Sequence, residues 1–203
     1  MADISTFYPS VVGGGIPKYA EFTSNGTWTP PQALIDAGGR ISYLVVGGGG
    51  SGPYQGSVNQ DFSGGCGGEV KTGYDTLTST SSIAITIGAG GAVAVSPSTT
   101  GNNGSDSIAA FASAGGTTIT SSGGAGSTSS ADNGTNWGAT GRNISGSNNT
   151  ALASSAHPGF MGIYGRGGQG VGGGTGTPAP NTGSGSGPQA AAADGFVRIT
   201  WFE

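Results

Sequence analysis

Apolar and polar residues alternate in short stretches along this chain, and each stretch predicts a strand. Ile83-Ala84-Ile85-Thr86-Ile87 places three isoleucines on one face. Phe196-Val197-Arg198-Ile199-Thr200-Trp201 does the same with Val197, Ile199 and Trp201, the two-residue period of a half-buried strand. Glu69 to Tyr74 alternates with Val70, Thr72 and Tyr74 on one side and its charges on the other. Ile41 to Val46 is apolar on both faces, which suits a central position. Ser107 to Ser113 and Thr117 to Thr120 are weaker strands joined around Gly115-Gly116. Phe22 to Thr29 reads as a hairpin turning at Asn25-Gly26. Pro30-Pro31 stops it, and Gln32 to Ala37 forms one or two helical turns before Gly38-Gly39. Trp28, Val45, Ile85, Ile87 and Trp201 are expected in one core. The elements together predict an all-β, antiparallel fold with little helix.

Glycine changes this picture. The 45 glycines gather in runs between the strands, most clearly where Val45-Val46 leads into Gly47-Gly48-Gly49-Gly50-Ser51-Gly52. Unpatterned glycine keeps a chain disordered, because it loses more backbone entropy on folding than any other residue. Here the runs punctuate a β pattern, and charged residues are only 8%, so nothing repels the chain into a coil. The expectation is a β domain with long, side-chain-poor loops that pack closely on one another or on another surface. Such loops bury little apolar area against an ordering entropy of roughly 1–2 kcal/mol per residue. Packing of these backbones between chains is therefore expected to supply what one chain lacks.

Two regions depart from the strand pattern. Residues 1–20 contain Phe7, Tyr8, Val11 and Val12 without a strand or helix period and then meet Gly13-Gly14-Gly15. They read as an extended arm that orders against a partner or neighbouring subunit, or as a disordered tail. The rest of the chain, 21–203, reads as the β domain, from which 121–195 makes a long Gly-, Ser-, Thr-, Asn- and Ala-rich excursion before the final strand. Excursions longer than ~15 residues are usually functional or mobile.

Charge and motifs exclude several function classes. The net charge is −4, and Lys18, Arg40, Lys71, Arg142, Arg166 and Arg198 are scattered singly, so nucleic acid is not an expected partner. Met1 to Thr6 lacks the basic and apolar regions of a signal peptide. No apolar run approaches the ~20 residues of a membrane span, so no membrane insertion is expected. The expected product is soluble, made in the cytoplasm, and released only by lysis or within a particle. Gly47, Gly49 and Gly52 match a dinucleotide fingerprint, but Pro53-Tyr54-Gln55-Gly56 follows where a helix should start. Gly101 to Ile108 is one residue from a calcium-binding nonapeptide and has no second copy to stack on. A single histidine, His157, and a single cysteine, Cys66, leave no multi-histidine metal site and no intrachain disulfide. No cofactor, metal or catalytic set is therefore assigned. The ten acids could supply a carboxylate pair for glycoside hydrolysis, yet none lies in a recognisable context. The remaining candidates are aromatic: Trp137 among asparagines and threonine, with Phe160 and Tyr164 before a glycine run. Such rings suit sugars or outer-surface contacts, or else pack beneath the loops as a satellite core.

Phe22 to Pro30, Tyr43 to Val46 running into glycines, Gly67-Gly68-Glu69-Val70, Ile85-Thr86-Ile87-Gly88-Ala89-Gly90-Gly91 and Gly195 to Ile199 follow in an order that resembles the glycine-rich domain of bacteriophage tail fibre and receptor-binding proteins. The resemblance covers residues 21–203. It implies a β-sandwich-like domain on a virion appendage, commonly a homotrimer, with its glycine-rich loops facing outward. On that basis the chain is expected to be a non-enzymatic virion protein, a short tail fibre or spike. Phe7, Tyr8, Val11 and Val12 would anchor it to other tail or capsid proteins, and Trp137, Phe160 and Tyr164 would face a host-surface glycan or outer-membrane protein. A head decoration or adaptor without receptor binding is the alternative, and a carbohydrate-cleaving spike the third.

Overall fold

The structure, a computed structural model, describes residues 15–54, 64–95, 100–127, 164–165, 177–187 and 189–203. Two four-stranded antiparallel sheets pack face to face. The first is formed by β1 (Pro17–Phe22), β3 (Arg40–Val46), β4 (Val70–Thr76) and β8 (Phe196–Phe202), in the order β1-β8-β3-β4. The second is formed by β2 (Gly26–Trp28), β5 (Ile83–Thr86), β6 (Ser107–Ala110) and β7 (Thr118–Ser121), in that order. The only α-helix among the described residues is α1 (Gln32–Asp36), which buries Leu34.

Alternation dictates the core. Ile41 and Val45 of β3 and Val197, Ile199 and Trp201 of β8 meet Trp28, Ile83, Ile85 and Ala109 from the other sheet. Leu34, Leu77 and Phe111 close the layer, and Ile87 packs against it part-buried. The expected grouping of Trp28, Val45, Ile85, Ile87 and Trp201 is thus present. The terminal strand finds two partners: Val197 pairs with both Phe22 of β1 and Val45 of β3.

Two local expectations are corrected. Phe22 to Thr29 is not a hairpin, because β1 pairs with β8 and β2 with β5. The turn at Asn25 carries the chain from one sheet to the other, and Asn25 Oδ1 accepts the Ile87 backbone N–H at 2.7 Å. In β4 the apolar set faces outward, with Tyr74 84% exposed. Its inward positions are polar because they bind the edge of the opposite sheet. Lys71 Nζ donates to Thr120 O at 2.6 Å, and Asp75 Oδ2 accepts the Thr117 N–H at 2.7 Å. Gly73, between them, leaves room for the Tyr43 ring.

Candidate functional site

Six strand ends on one side of the sandwich continue directly into glycine-rich runs. Residues 47–51 follow β3, 65–69 precede β4, 88–91 follow β5, 101–105 precede β6, 122–127 follow β7 and 192–195 precede β8. A seventh run, 183–186, lies over the end of the first sheet. Glycine has no side chain to hold the two layers apart, so the sheets merge into a single bundle of backbones.

The run 47–51 is its axis. Gly47 and Gly50 donate their N–H groups to Glu69 O and Cys66 O, Gly48 and Ser51 to Ser105 O and Asn102 O, and Gly49 to Ala193 O, at 2.7–3.0 Å. Its carbonyls accept in the same rhythm: Gly48 and Ser51 from Gly124 and Ser127, Gly49 from Gly91 and Gly50 from Ser186. Partners therefore change run at each residue and return after three, the period of a polyproline II-type helix, which makes no internal hydrogen bonds. The axial run donates to three runs of opposite direction and accepts from three that run with it.

The six outer runs also bond to one another in a closed ring. Cys66 N–H reaches Ala125 O, Gly104 N–H reaches Gly124 O and Ser105 N–H reaches Ala89 O. Gly195 N–H reaches Gly88 O, Ala193 N–H reaches Ser184 O and Gly65 N–H reaches Ser186 O. Close approach is why glycine is required: a Cβ on Gly48 or Gly50 would lie within 3.0 Å of the carbonyl oxygens of Ala89 and Ala125 respectively. The close backbone packing that the sequence reading assigns to contacts between chains is thus formed within one chain.

Side-chain oxygens satisfy N–H groups at the rim of the bundle. Asp194 Oδ1 accepts from Gly90, Asp106 Oδ1 from Gly123 and Asn103 Oδ1 from Gly126, at 2.8–2.9 Å. Gly47 and Gly49 of the dinucleotide-like glycines therefore lie in the bundle's axis, and the calcium-like stretch 101–108 supplies its polar edge. Cys66 is buried among the runs.

Of the aromatic candidates, Trp137 and Phe160 lie outside the described residues, as do Phe7, Tyr8, Val11 and Val12. Tyr164 stacks on Phe196, with centroids 5.6 Å apart and planes at 12°. It closes a small apolar cluster of Leu44, Val46 and Phe196 on the outer face of the first sheet. Across the rest of that face, Tyr19, Thr200, Ser42 and Tyr74 form one cross-strand row. Tyr19 is 68% and Phe202 48% exposed. Sequence reasoning singled out neither this row nor the bundle. The signal for the bundle was a spacing of three, seen in the glycine pairs 65/68, 88/91 and 101/104 and in the exposed Ala89, Ala92, Ser122 and Ala125.

Among the described residues no helix is long and apolar enough to cross a membrane, and no group of three or more His, Cys, Asp or Glu could hold a metal ion. No curated protein matches the sequence. A family model described as a glycine-rich domain matches residues 21–202, a span that takes in every strand from β2 to β8, the last two residues of β1 and all seven glycine runs. The chain belongs to this glycine-rich domain family.

Proposed function

We propose that the chain is a structural protein of a bacteriophage particle, a short tail fibre or spike that assembles as a homotrimer and contributes to attachment at the host surface. The observation that carries this reading is the two-ended form of the molecule. At one end the chain enters β1 beside the end of β8, where Ile16 and Glu203 exchange backbone hydrogen bonds. At the other end projects the glycine bundle, held by backbone hydrogen bonds, and the chain leaves its tip after Pro53, Ala92 and Ser127, the last of these excursions returning beside the strand ends at Tyr164 and Gly183. An appendage needs this division: a base that binds the particle and a remote, stiff platform for the chain that meets the host. Of the expected arm 1–20, Pro17 to Ala20 belong to β1, and residues 1–14, which join the base, fit the role of an anchor, with Phe7, Tyr8, Val11 and Val12 as its apolar contacts. The excursion containing Trp137 joins the platform and fits host contact, since rigid aromatics give contact energy at low entropy cost. The function is non-enzymatic, and the order of strands and glycine runs, which resembles phage receptor-binding domains, supports the particle setting.

Labelling the chain on purified particles and imaging them tests this. Label at the tail tip, lost when residues 1–14 are deleted, is the expected result. Label confined to the head would make the protein a decoration, and full incorporation of the truncated chain would remove the arm as anchor. Trp137→Ala should weaken host attachment with little change in thermal stability. Unaltered attachment by a stable variant would exclude that residue.

A further inference from the structure

The outer face of the first sheet is divided. Near the bundle it is covered: Tyr164 lies on Phe196, Gly165 donates its N–H to Thr182 O, and Leu44 and Val46 are buried as a result. Toward the base the same face is bare. There Tyr19 and Tyr74 and the adjacent positions Pro17 and Phe202 are exposed on either side of the half-buried Thr200 and Ser42 of the same row, with Tyr74 the most exposed large apolar residue of those described. Two tyrosines on the outer strands flank a floor of small hydroxyl residues. Three strand spacings of about 4.8 Å set them roughly 14 Å apart, wide enough for an extended chain between them. Arg40, exposed, stands on β3 at the basal edge of this area.

The chain outside the structure begins at the corner of this bare area. Gly15, next to Ile16, lies against Glu203 at the foot of β1 and β8. The preceding segment, Ile4-Ser5-Thr6-Phe7-Tyr8-Pro9-Ser10-Val11-Val12, is the most apolar part of residues 1–14, and Asp3 beside it is their one acidic residue, opposite in charge to Arg40. Extended at roughly 3.3 Å per residue it spans about 30 Å, the full length of the sheet's strands with some to spare.

We propose that the basal half of this face receives the segment Ile4–Val12 of a second copy of the chain, with Phe7, Tyr8, Val11 and Val12 covering Tyr19, Tyr74 and Phe202. This rests on the homotrimer reading, which needs an interface that the intrachain glycine bundle does not supply. An arm on a neighbour's face is a head-to-tail contact, which gives a ring where the rotation between neighbours closes, here a third of a turn, and an open filament where it does not. Three copies, each giving an arm and receiving one, complete the set.

The test is a disulfide trap in the full chain carrying Val11→Cys and Tyr74→Cys, with each single variant as control because Cys66 is present. Oxidation of the double variant should give covalent dimers and trimers on a non-reducing gel that neither single variant gives. A crosslinked monomer would place the arm on its own face and overturn the proposal. A chain that sediments as a trimer without crosslinking would overturn it too, while leaving the trimer standing. Tyr74→Arg provides a second measurement, since so exposed a residue is not needed for folding. It should raise the concentration at which trimers form at least tenfold. An unchanged trimer, including one that no longer joins particles, would assign the face to a different protein and overturn the inference.

Discussion

The indole of Trp201 lies against that of Trp28, with ring centroids 5.2 Å apart and planes at 44°. This contact joins β8 of the first sheet to the short β2 of the second, and both residues are 8% exposed. Trp201 Nε1 donates to Glu203 Oε1 at 3.0 Å, so the ring's polar atom is satisfied while its body is buried. Trp201→Ala should therefore lower stability by roughly 3–5 kcal/mol, the usual range for deleting a buried aromatic. Urea unfolding checks this, and a loss below about 1 kcal/mol would mean that the core does not depend on the terminal strand.

Glycines of the bundle and glycines of turns should respond differently to the same substitution. Gly50→Ala drives a methyl group into the backbone at Ala125, which the closed ring of runs holds in place. Its cost should reach about 3 kcal/mol or more, the upper end for overpacking. Gly38 has φ +98° with nothing within 4 Å of an added Cβ, so Gly38→Ala should cost only the left-handed backbone term of about 1–2 kcal/mol. Thermal unfolding of the two variants side by side decides the matter. Equal losses would remove close packing as the reason for glycine at the axis.

Tyr164 offers a further check on how the excursion returns to the sandwich. Removing its ring leaves Phe196, 6% exposed in the intact protein, without a stacking partner. Tyr164→Ala should cost about 1–2 kcal/mol, a stacking contribution of roughly 0.5–1.5 kcal/mol together with lost burial. Tyr164→Phe should be close to neutral. If both variants unfold with the parent protein, the stack does not hold this segment.

Strands were legible where one face is apolar and buried. Ile83, Ile85, Val197, Ile199 and Trp201 announce their own orientation, and Gln32 to Ala37 announces a short helix. The alternation in β4 misleads because it marks the face carrying Val70, Thr72 and Tyr74, whereas the inward positions hold Lys71 and Asp75 for bonds to Thr120 of β7 and to Thr117 just before it. The Asn25-Gly26 signal gives a turn truly, but a turn says nothing about which sheet the next strand will join. The bundle was hidden for a deeper reason. Its specificity lies in backbone groups that every residue carries, so the sequence records only where a side chain is forbidden, and the seven segments are scattered from residue 47 to residue 195. The aromatic candidates were chosen from an excursion of which only Tyr164 and the bundle-forming ends are described, and Tyr19 and Tyr74 passed for ordinary strand residues.

The three-residue rhythm of the axial run imposes a reading frame on this end of the molecule. One residue inserted within 47–51 would rotate every later N–H by about a third of a turn and aim it at the wrong neighbour. Three inserted residues would restore the aim, yet leave one segment a full turn longer than the six around it. Lengthening the platform thus demands matched, whole-turn additions in all seven segments. The residues that link one run to the next outside the bundle carry no such frame, so they can gain or lose residues singly while the platform stays the same.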